Sequence, residues 1–564
     1  MKTTRIRLAQ AQINVTVGDI KGNIEKILEY VGYAQKAEAD MVVFPELAVC
    51  GYPPEDLLFR EDFLRDNSRA VKEISARSLG IIVVAGFPER DRKGNIYNAA
   101  AVLAKGRTLD VYRKKHLPNY GVFDEKRYFV PGEATTLYRY GKALIGINIC
   151  EDIWAPDGPF VEQSSGGGGL IINISASPYH AGKTLERESI IRKKAAEEGV
   201  YVSYTNLVGG QDELVFDGGS FVAGPGGRTV SYAGAFRERL LVTEIEVPNV
   251  SSDKGTKKDK ARYVELPFSP RDARSEESQA KAERFSGPAE IYEALTLGVK
   301  DYARKNGFSQ AVLGLSGGID SSLTAAIAAD ALGQENVYGV WMPSRYSSDI
   351  TEENAVRTAA GLGINFMTLS IEALYGLYLS VLDKYFSGLK RDTTEENLQA
   401  RIRGTILMAI SNKFERILLS TSNKSETAVG YCTLYGDMAG GFAPLKDVPK
   451  TMVYSLAEYR DTRSGKVFPR GVFKVPPTAE LKHGQKDEDT LPPYYILDKM
   501  IKKYVECRKT SSGKGQASGI ARKVISMIDR NEYKRRQGPP GIKITPLAFG
   551  RDRRLPITNR YRSL

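Results

Sequence analysis

Cysteine and histidine are scarce: 564 residues contain four of the first and three of the second. Cys50, Cys150, Cys432 and Cys507 lie far apart and form no CxxC pair, which excludes a disulfide framework and a cysteine-rich zinc site. His116, His180 and His483 are equally scattered, so chemistry built on clustered histidines is thinly supplied. No stretch approaches the roughly 18 uninterrupted apolar residues of a membrane span. The opening MKTTRIRLAQAQINV passes into an apolar alternation without the apolar core and small-residue cleavage site of a signal peptide. A cytoplasmic chain that makes no use of a membrane is the expectation. Hydrophobic residues at 42% and charged residues at 26% are the balance of a soluble globular chain, and the length requires two or more domains.

Positive charge is in excess, with a net +12. From Arg530 to Leu564 ten lysines and arginines stand against Glu532 and Asp552, so most of the excess is one terminal segment. Such a segment suits phosphate-bearing ligands, an acidic neighbouring subunit, nucleic acid, or plain solvation.

The first part reads as alternating strands and helices. IRLAQAQINV (6–15), MVVFPE (41–46), GIIVVAGFPE (80–89), ALIGINIC (143–150) and GLIINISAS (169–177) are strand patterns, and Ile24, Ile27, Leu28 and Val31 fall at helical spacing. The last apolar alternation, LLVTEIEV (240–247), places the end of this domain at residue 248. Residues 249–286 are polar and charge-dense, which suits a linker or an extended arm. A second domain is expected over 287–564. There AVLGL (311–315), VYGVWM (337–342), INFMTLSI (364–371) and RILLS (416–420) are strands, separated by helical stretches at 321–332 and 395–414. That alternation predicts a doubly wound parallel sheet with ligands beyond the carboxyl ends of its strands. RKTSSGKGQASG (508–519) has the composition of a loop.

The strongest local signal is Gly314-Leu315-Ser316-Gly317-Gly318-Ile319-Asp320-Ser321-Ser322, set between a strand and a helix. Glycines let backbone approach an anion, and hydroxyls with a helix N-terminus donate to phosphate oxygens. The lysine of the Walker A pattern is absent. A second set, Thr421 to Glu426, follows RILLS and would stand at the same rim of the sheet. Glu426 is there a second carboxylate for magnesium or another ligand. In the first half Glu46 (FPE), Lys114 (YRKKHLPNY) and Cys150 (INICED) are the candidates for chemistry. A thiol attacking a carboxamide needs a base and a cationic or N–H donor for the oxyanion.

SGGIDS resembles the PP-loop of enzymes that cleave ATP between its α and β phosphates and adenylate a carbonyl oxygen. That resemblance implies ATP contact through residues 314–322 and a magnesium ligand at Asp320. Glu46, Lys114 and Cys150 match the Glu-Lys-Cys triad of the nitrilase superfamily, as general base, stabiliser of the intermediate and nucleophile; Lys115 is an adjacent alternative to Lys114. The runs NKSETAVGYCTLYGDMAGGFAPLKDVPKT, DEDTLPPYYILDKMI and NEYKRRQGPPGIKITPLAFGRDRRLPITNRY are similar to the NAD(+) synthetases, and the likeness to the glutamine-dependent members covers nearly the whole chain. It implies an α/β chain: a nitrilase-like αββα sandwich at 1–248, then a PP-loop domain. It further implies Thr421 on ATP, Asn397, Glu426 and Lys534 on deamido-NAD, and Asp320 with Glu426 on Mg2+. Tyr120, Ser177 and Lys183 would hold glutamine, with Tyr52 and Glu151 as further candidates.

The implied activity is ATP-dependent amidation of deamido-NAD, with ammonia drawn from glutamine through a protected passage. ATP, deamido-NAD and glutamine are the expected partners, nucleic acid is not, and a homo-oligomer is the expected assembly. The rivals are a PP-loop amidotransferase acting on a purine nucleotide or tRNA, and a non-enzymatic scaffold whose basic tail binds nucleic acid. Paired cysteines or an added RNA module would favour a tRNA enzyme, and the sequence has neither. The scaffold reading leaves triad and phosphate loop unexplained.

Overall fold

A computed structural model describes residues 2–250, 261–268, 282–509 and 519–561. Two compact units are present, Met1–Gln211 with Val215–Phe285, and Asp212–Leu214 with Ser286–Leu564. Residues 510–518 of the expected loop, most of 249–286, and Arg562 lie outside the described residues.

The first unit is two sheets packed face to face. One sheet has the strand order Arg239–Pro248, Thr3–Gln12, Met41–Val43, Ile82–Arg90, Ile96–Ala104, Arg107–Arg113. The other runs Thr229–Tyr232, Phe221–Ala223, Tyr201–Asn206, Leu170–Ser175, Ala143–Ile149, Thr136–Tyr140, Arg262–Glu265. In each the central pairs are parallel and the flanking hairpins antiparallel. Parallel strands Met41–Val43, Ala143–Ile149 and Leu170–Ser175 are buried along their whole length because both faces are covered. Ile6, Leu8, Val43 and Val84 of one sheet meet Ile147, Ile172 and Ile174 of the other in one core. Helices Ile20–Lys36 and Glu61–Arg77 pack on the first sheet, and Pro159–Ser165 and Lys183–Glu198 on the second. This is the αββα arrangement expected from the resemblance. The charge-dense segment taken as a linker contains a strand, Arg262–Glu265, paired in parallel with Thr136–Tyr140. An exposed edge strand buries no alternate face, so its periodicity is weak.

The second unit has a four-stranded, wholly parallel sheet in the order Asn365–Thr368, Val337–Trp341, Ala311–Gly314, Ile417–Leu418. The chain order reverses between the last two, which opens a crevice at their carboxyl ends. Several charges of the basic C-terminal segment serve this unit's own packing. Arg535 donates to the carbonyls of Ala428 and Ile528 and to Glu532. Lys543 pairs with Asp552, and Arg536 with Glu532.

Candidate functional site

Glu46 follows strand Met41–Val43 in a turn where Leu47 takes φ +47°. Neighbouring Gly86 passes that turn so closely that a Cβ would stand 2.3 Å from the Leu47 amide nitrogen. Lys114 follows strand Arg107–Arg113, and Cys150 follows strand Ala143–Ile149. Cys150 takes φ +42° at the head of a single 3-10 turn, Cys150–Ile153. A residue with a side chain holds that left-handed conformation only where its surroundings impose it.

The three side chains converge below the surface, at 1%, 0% and 3% exposure for Glu46, Lys114 and Cys150. The Lys114 ammonium donates to Glu46 Oε1 at 2.7 Å and to both oxygens of Glu125 at 2.9 Å. Glu46 also accepts from Asn98 Nδ2 at 2.7 Å and from the Ala176 amide at 2.8 Å, and Tyr52 donates to Glu125 at 3.1 Å. Lys115 turns elsewhere, to Thr135 and Glu162. Burial, reinforced by Glu46 and opposed by Lys114, pushes the Cys150 thiol well above its ordinary range. The resting thiol therefore holds its proton, and attack requires a base. Burial alone would lower Lys114, but Glu125 and Glu46 outweigh it and keep the ammonium charged far above its usual range.

Glu125 and Asp152 carry weight here that the sequence did not reveal. Burial pushes Glu125 up to about 7, with Lys114 opposing and Glu46 adding. Asp152 accepts from the amides of Lys115 at 3.0 Å and His116 at 2.8 Å, from Ile149 N at 3.1 Å and from the Tyr112 hydroxyl at 2.8 Å. It thus ties the segment carrying Lys114 to the strand end carrying Cys150. Both carboxylates lie inside the runs LPNYGVFDEK and INICED, but neither has a periodic signature.

Glu125 makes a pH limb expected. Below about 7 it takes a proton and Lys114 loses one of its two anionic partners. Turnover at this set should rise with pH through that value, and Glu125→Gln should lower kcat at least about tenfold and remove the inflection. A pH–rate profile of amide hydrolysis checks this; an unchanged limb would assign it to another group.

Of the expected glutamine contacts, Tyr120 donates to Glu151 at 3.0–3.1 Å and lies within electrostatic reach of Cys150. Ser177 follows the Ala176 amide that holds Glu46, and its own amide donates to Asn206 at 2.9 Å. Lys183 opens helix Lys183–Glu198 and pairs with Glu186 at 2.9 Å, making no hydrogen bond to Tyr120 or to the triad.

In the second unit residues 314–322 run from strand Ala311–Gly314 into helix Ile319–Leu332. Gly317 has φ +76°, and a Cβ there would fall 2.0 Å from the Thr351 carbonyl oxygen, so only glycine makes this bend. A cavity of about 520 Å3 opens beside it. Gly314, Leu315, Ser316, Gly318, Ile319, Asp320, Ser321 and Thr421 line it, together with Asn397, Glu426 and Lys534. Gly317 shapes the loop without lining the cavity, and Ser322 is fully buried with its hydroxyl unpartnered.

Asp320 and Glu426 stand 106 residues apart in the chain and meet across Lys450. The Lys450 ammonium bonds to Asp320 Oδ2 and lies 3.4 Å from Glu426 Oε1. Asn423, which caps helix Lys424–Val429, donates to Asp320 Oδ1 at 2.9 Å. Burial pushes Glu426 up to about 8, with Lys450 opposing and Asp320, Asp487 and Asp437 adding. Among the described residues no three metal-ligating side chains are grouped as a cluster. The oxygen-only pair with a cation between them is nevertheless a donor set that suits magnesium sharing its shell with phosphate oxygens and water. Asn397 accepts from Thr433 at 2.7 Å. Lys534 donates to the carbonyls of Gly430 and Cys432 at 2.8 Å each. Lys450, in the run PLKDVPKT, is a cavity residue that the sequence did not mark.

The chain matches the Carbon-nitrogen hydrolase family over residues 5–254 and the NAD synthase family over residues 291–538. It is 44% identical to the glutamine-dependent NAD(+) synthetase of Thermotoga maritima, over 99% of each chain. Identity to the Aquifex aeolicus protein of the same name is 46%, over 99% of this chain and all of that one. A solved structure of the Acinetobacter baumannii glutamine-dependent NAD+ synthetase, in complex with ADP, superposes with a TM-score of 0.76 at 40% identity, covering 98% of this chain and 99% of that one. The Cytophaga hutchinsonii protein, at 23% identity, shares the fold with a TM-score of 0.81 over 99% and 98% of the two chains. Two family matches that together span most of the chain, and whole-length identity of this order, place the chain in the family of glutamine-dependent NAD(+) synthetases.

Proposed function

We propose that the first unit releases ammonia from glutamine at Cys150 and that the second uses ATP to activate the nicotinate carboxylate of deamido-NAD for that ammonia. The observation that carries this reading is that one chain holds both a buried Glu46–Lys114–Cys150 set and a phosphate-loop cavity. Each set answers one half of the reaction.

In the first half Glu46 takes the thiol proton as Cys150 Sγ attacks the glutamine amide carbon. Lys114, kept cationic by Glu46 and Glu125, faces the developing oxyanion. The proton passes to the leaving nitrogen, ammonia departs, and a thioester remains. Water activated by Glu46 then releases glutamate and restores the thiol. Tyr120, Ser177 and Lys183 hold the amino-acid head in this scheme, and Asp152 fixes the spacing of the two reacting arms.

In the second half Ser316, Ser321 and the helix N-terminus at Ile319 receive the phosphates, and Thr421 lines the same cavity. The substrate carboxylate attacks the α-phosphorus, pyrophosphate leaves, and ammonia displaces AMP from the mixed anhydride to give NAD. Asn397, Glu426 and Lys534 take the deamido-NAD side in this scheme. Asp320 and Glu426 would hold Mg2+, which when bound neutralises phosphate charge as pyrophosphate departs. Lys450 bonds to both carboxylates and keeps them within reach of one cation. Pyrophosphate release from ATP should require deamido-NAD; release triggered instead by a purine nucleotide or tRNA would replace this reading with a related amidotransferase.

The assembly proposed is a homo-oligomer. Leu377, Val381, Tyr385 and Leu389, on and just after helix Glu372–Phe386, are 61–73% exposed, a patch that water does not favour. Its expected cover is the same patch of a second copy. Sedimentation should give a multiple of the 62.2 kDa chain, and a monomer at micromolar concentration would contradict it. Among the described residues no helix is long and apolar enough to cross a membrane.

A further inference from the structure

Among the described residues three cations line the cavity of the second unit, and two of them already hold partners within the protein. Lys450 bonds to Asp320 and Glu426, and Lys534 donates to two backbone carbonyls. The third is Arg403, on helix Thr393–Phe414. Among the described residues it makes one hydrogen bond, from Nε to the Met342 carbonyl at 3.0 Å, and forms no ion pair. That bond fixes the side chain at the end of strand Val337–Trp341. It leaves both terminal nitrogens, with four N–H donors, uncommitted. Leu407, one turn along the same helix, lies 3.4 Å from where a Cβ on Gly314 would be. The helix face carrying Arg403 therefore stands against the strand that leads into the phosphate loop. The side chain is half-buried, and burial lowers the guanidinium to about 10 with Glu480 opposing. A charge held in a cavity without a partner is costly, and a fork of parallel donors matches phosphate oxygens in geometry as well as in sign.

We propose that Arg403 is an anion-binding residue of this cavity, which takes a phosphate group of a nucleotide substrate through its two terminal nitrogens. The proposal rests on the reading of the cavity as the nucleotide site. It adds a residue that stands apart from the phosphate loop by more than 80 positions in the chain and whose neighbours Ala400, Gly404 and Leu407 are apolar or lack a side chain. The phosphate source is either ATP or the dinucleotide, and binding measurements separate them.

The test is equilibrium binding of ATP, deamido-NAD and inorganic tripolyphosphate to the full-length protein and its Arg403→Met and Arg403→Lys variants. Arg403→Met should weaken one nucleotide at least tenfold and leave the other within about threefold. Arg403→Lys, which keeps the charge but loses the fork, should recover part of that loss. If tripolyphosphate weakens in parallel with ATP, the group held belongs to the triphosphate; if only deamido-NAD weakens, it belongs to the dinucleotide. Unaltered binding of the other nucleotide guards against misfolding of the second unit. Both nucleotides bound with unaltered affinity by Arg403→Met would overturn the proposal. Failure of the functional reading looks different: the unmodified protein would bind ATP and tripolyphosphate normally but would not amidate deamido-NAD.

Discussion

Cys150→Ala should abolish NAD formation from glutamine, by roughly 10^4-fold or more, while formation from high ammonium stays within about threefold of the unmodified protein. Cys150 sits at the one point where the Glu46 carboxylate and the Lys114 ammonium both act on a thiol. Without the sulfur nothing there can form the glutamyl thioester. The substitution is structurally mild, because alanine meets the φ +42° backbone with the same Cβ that cysteine does, and it removes one atom from the wall. The residues proposed to receive the nucleotides belong to the other unit, which has its own sheet and its own core. Initial rates measured with each nitrogen source settle the matter. Loss of both activities in a folded protein would sink the division of labour.

Asp320→Asn should behave in the opposite way and depress synthesis from either nitrogen source by about 10^2–10^3-fold, since activation of the carboxylate precedes attack by ammonia from any origin. The carboxylate takes Lys450 on one oxygen and Asn423 Nδ2 on the other. An asparagine in its place must turn an NH2 group toward one of these donors, which breaks a bond and leaves Glu426 to face Lys450 alone. Removing one pre-positioned charge from a phosphate-transfer site commonly costs about 3–4 kcal/mol of transition-state stabilisation. Glutamate release should survive, and AMP formation is the informative readout. AMP formed at a near-normal rate would withdraw Asp320 from the chemistry of the phosphates.

Both sites were legible where chemistry coincides with the end of an apolar strand. Glu46, Cys150 and the 314–322 loop each follow such a run, so periodicity located the rim of a sheet, while the roles of these residues came from the resemblance to the family. What escaped was whatever reaches the site from a loop or from a distant part of the chain. Glu125 and Asp152 are single carboxylates whose role lies in the bonds they accept. Lys450 meets Asp320 across 130 residues. Arg403 sits in a helix whose own pattern says only that one face is covered. Strand Arg262–Glu265 was hidden for a different reason: exposed at a sheet edge, it carries charges in place of an alternation. By composition the basic C-terminal segment suits phosphate ligands, an acidic subunit, nucleic acid or solvent, yet Arg535 and Lys543 are about 5–6% exposed and spend their charge inside the unit. Charge counting has no access to such pairing.

The central claim, that the two chemistries are joined in one reaction, is tested most directly by supplying ATP, deamido-NAD and glutamine carrying heavy nitrogen in its side-chain amide, and weighing the NAD produced. The heavy nitrogen should appear in the nicotinamide carboxamide, with one glutamate, one AMP and one pyrophosphate released for each labelled NAD. Glutamate released without label in NAD, or NAD formed without AMP, would contradict the account.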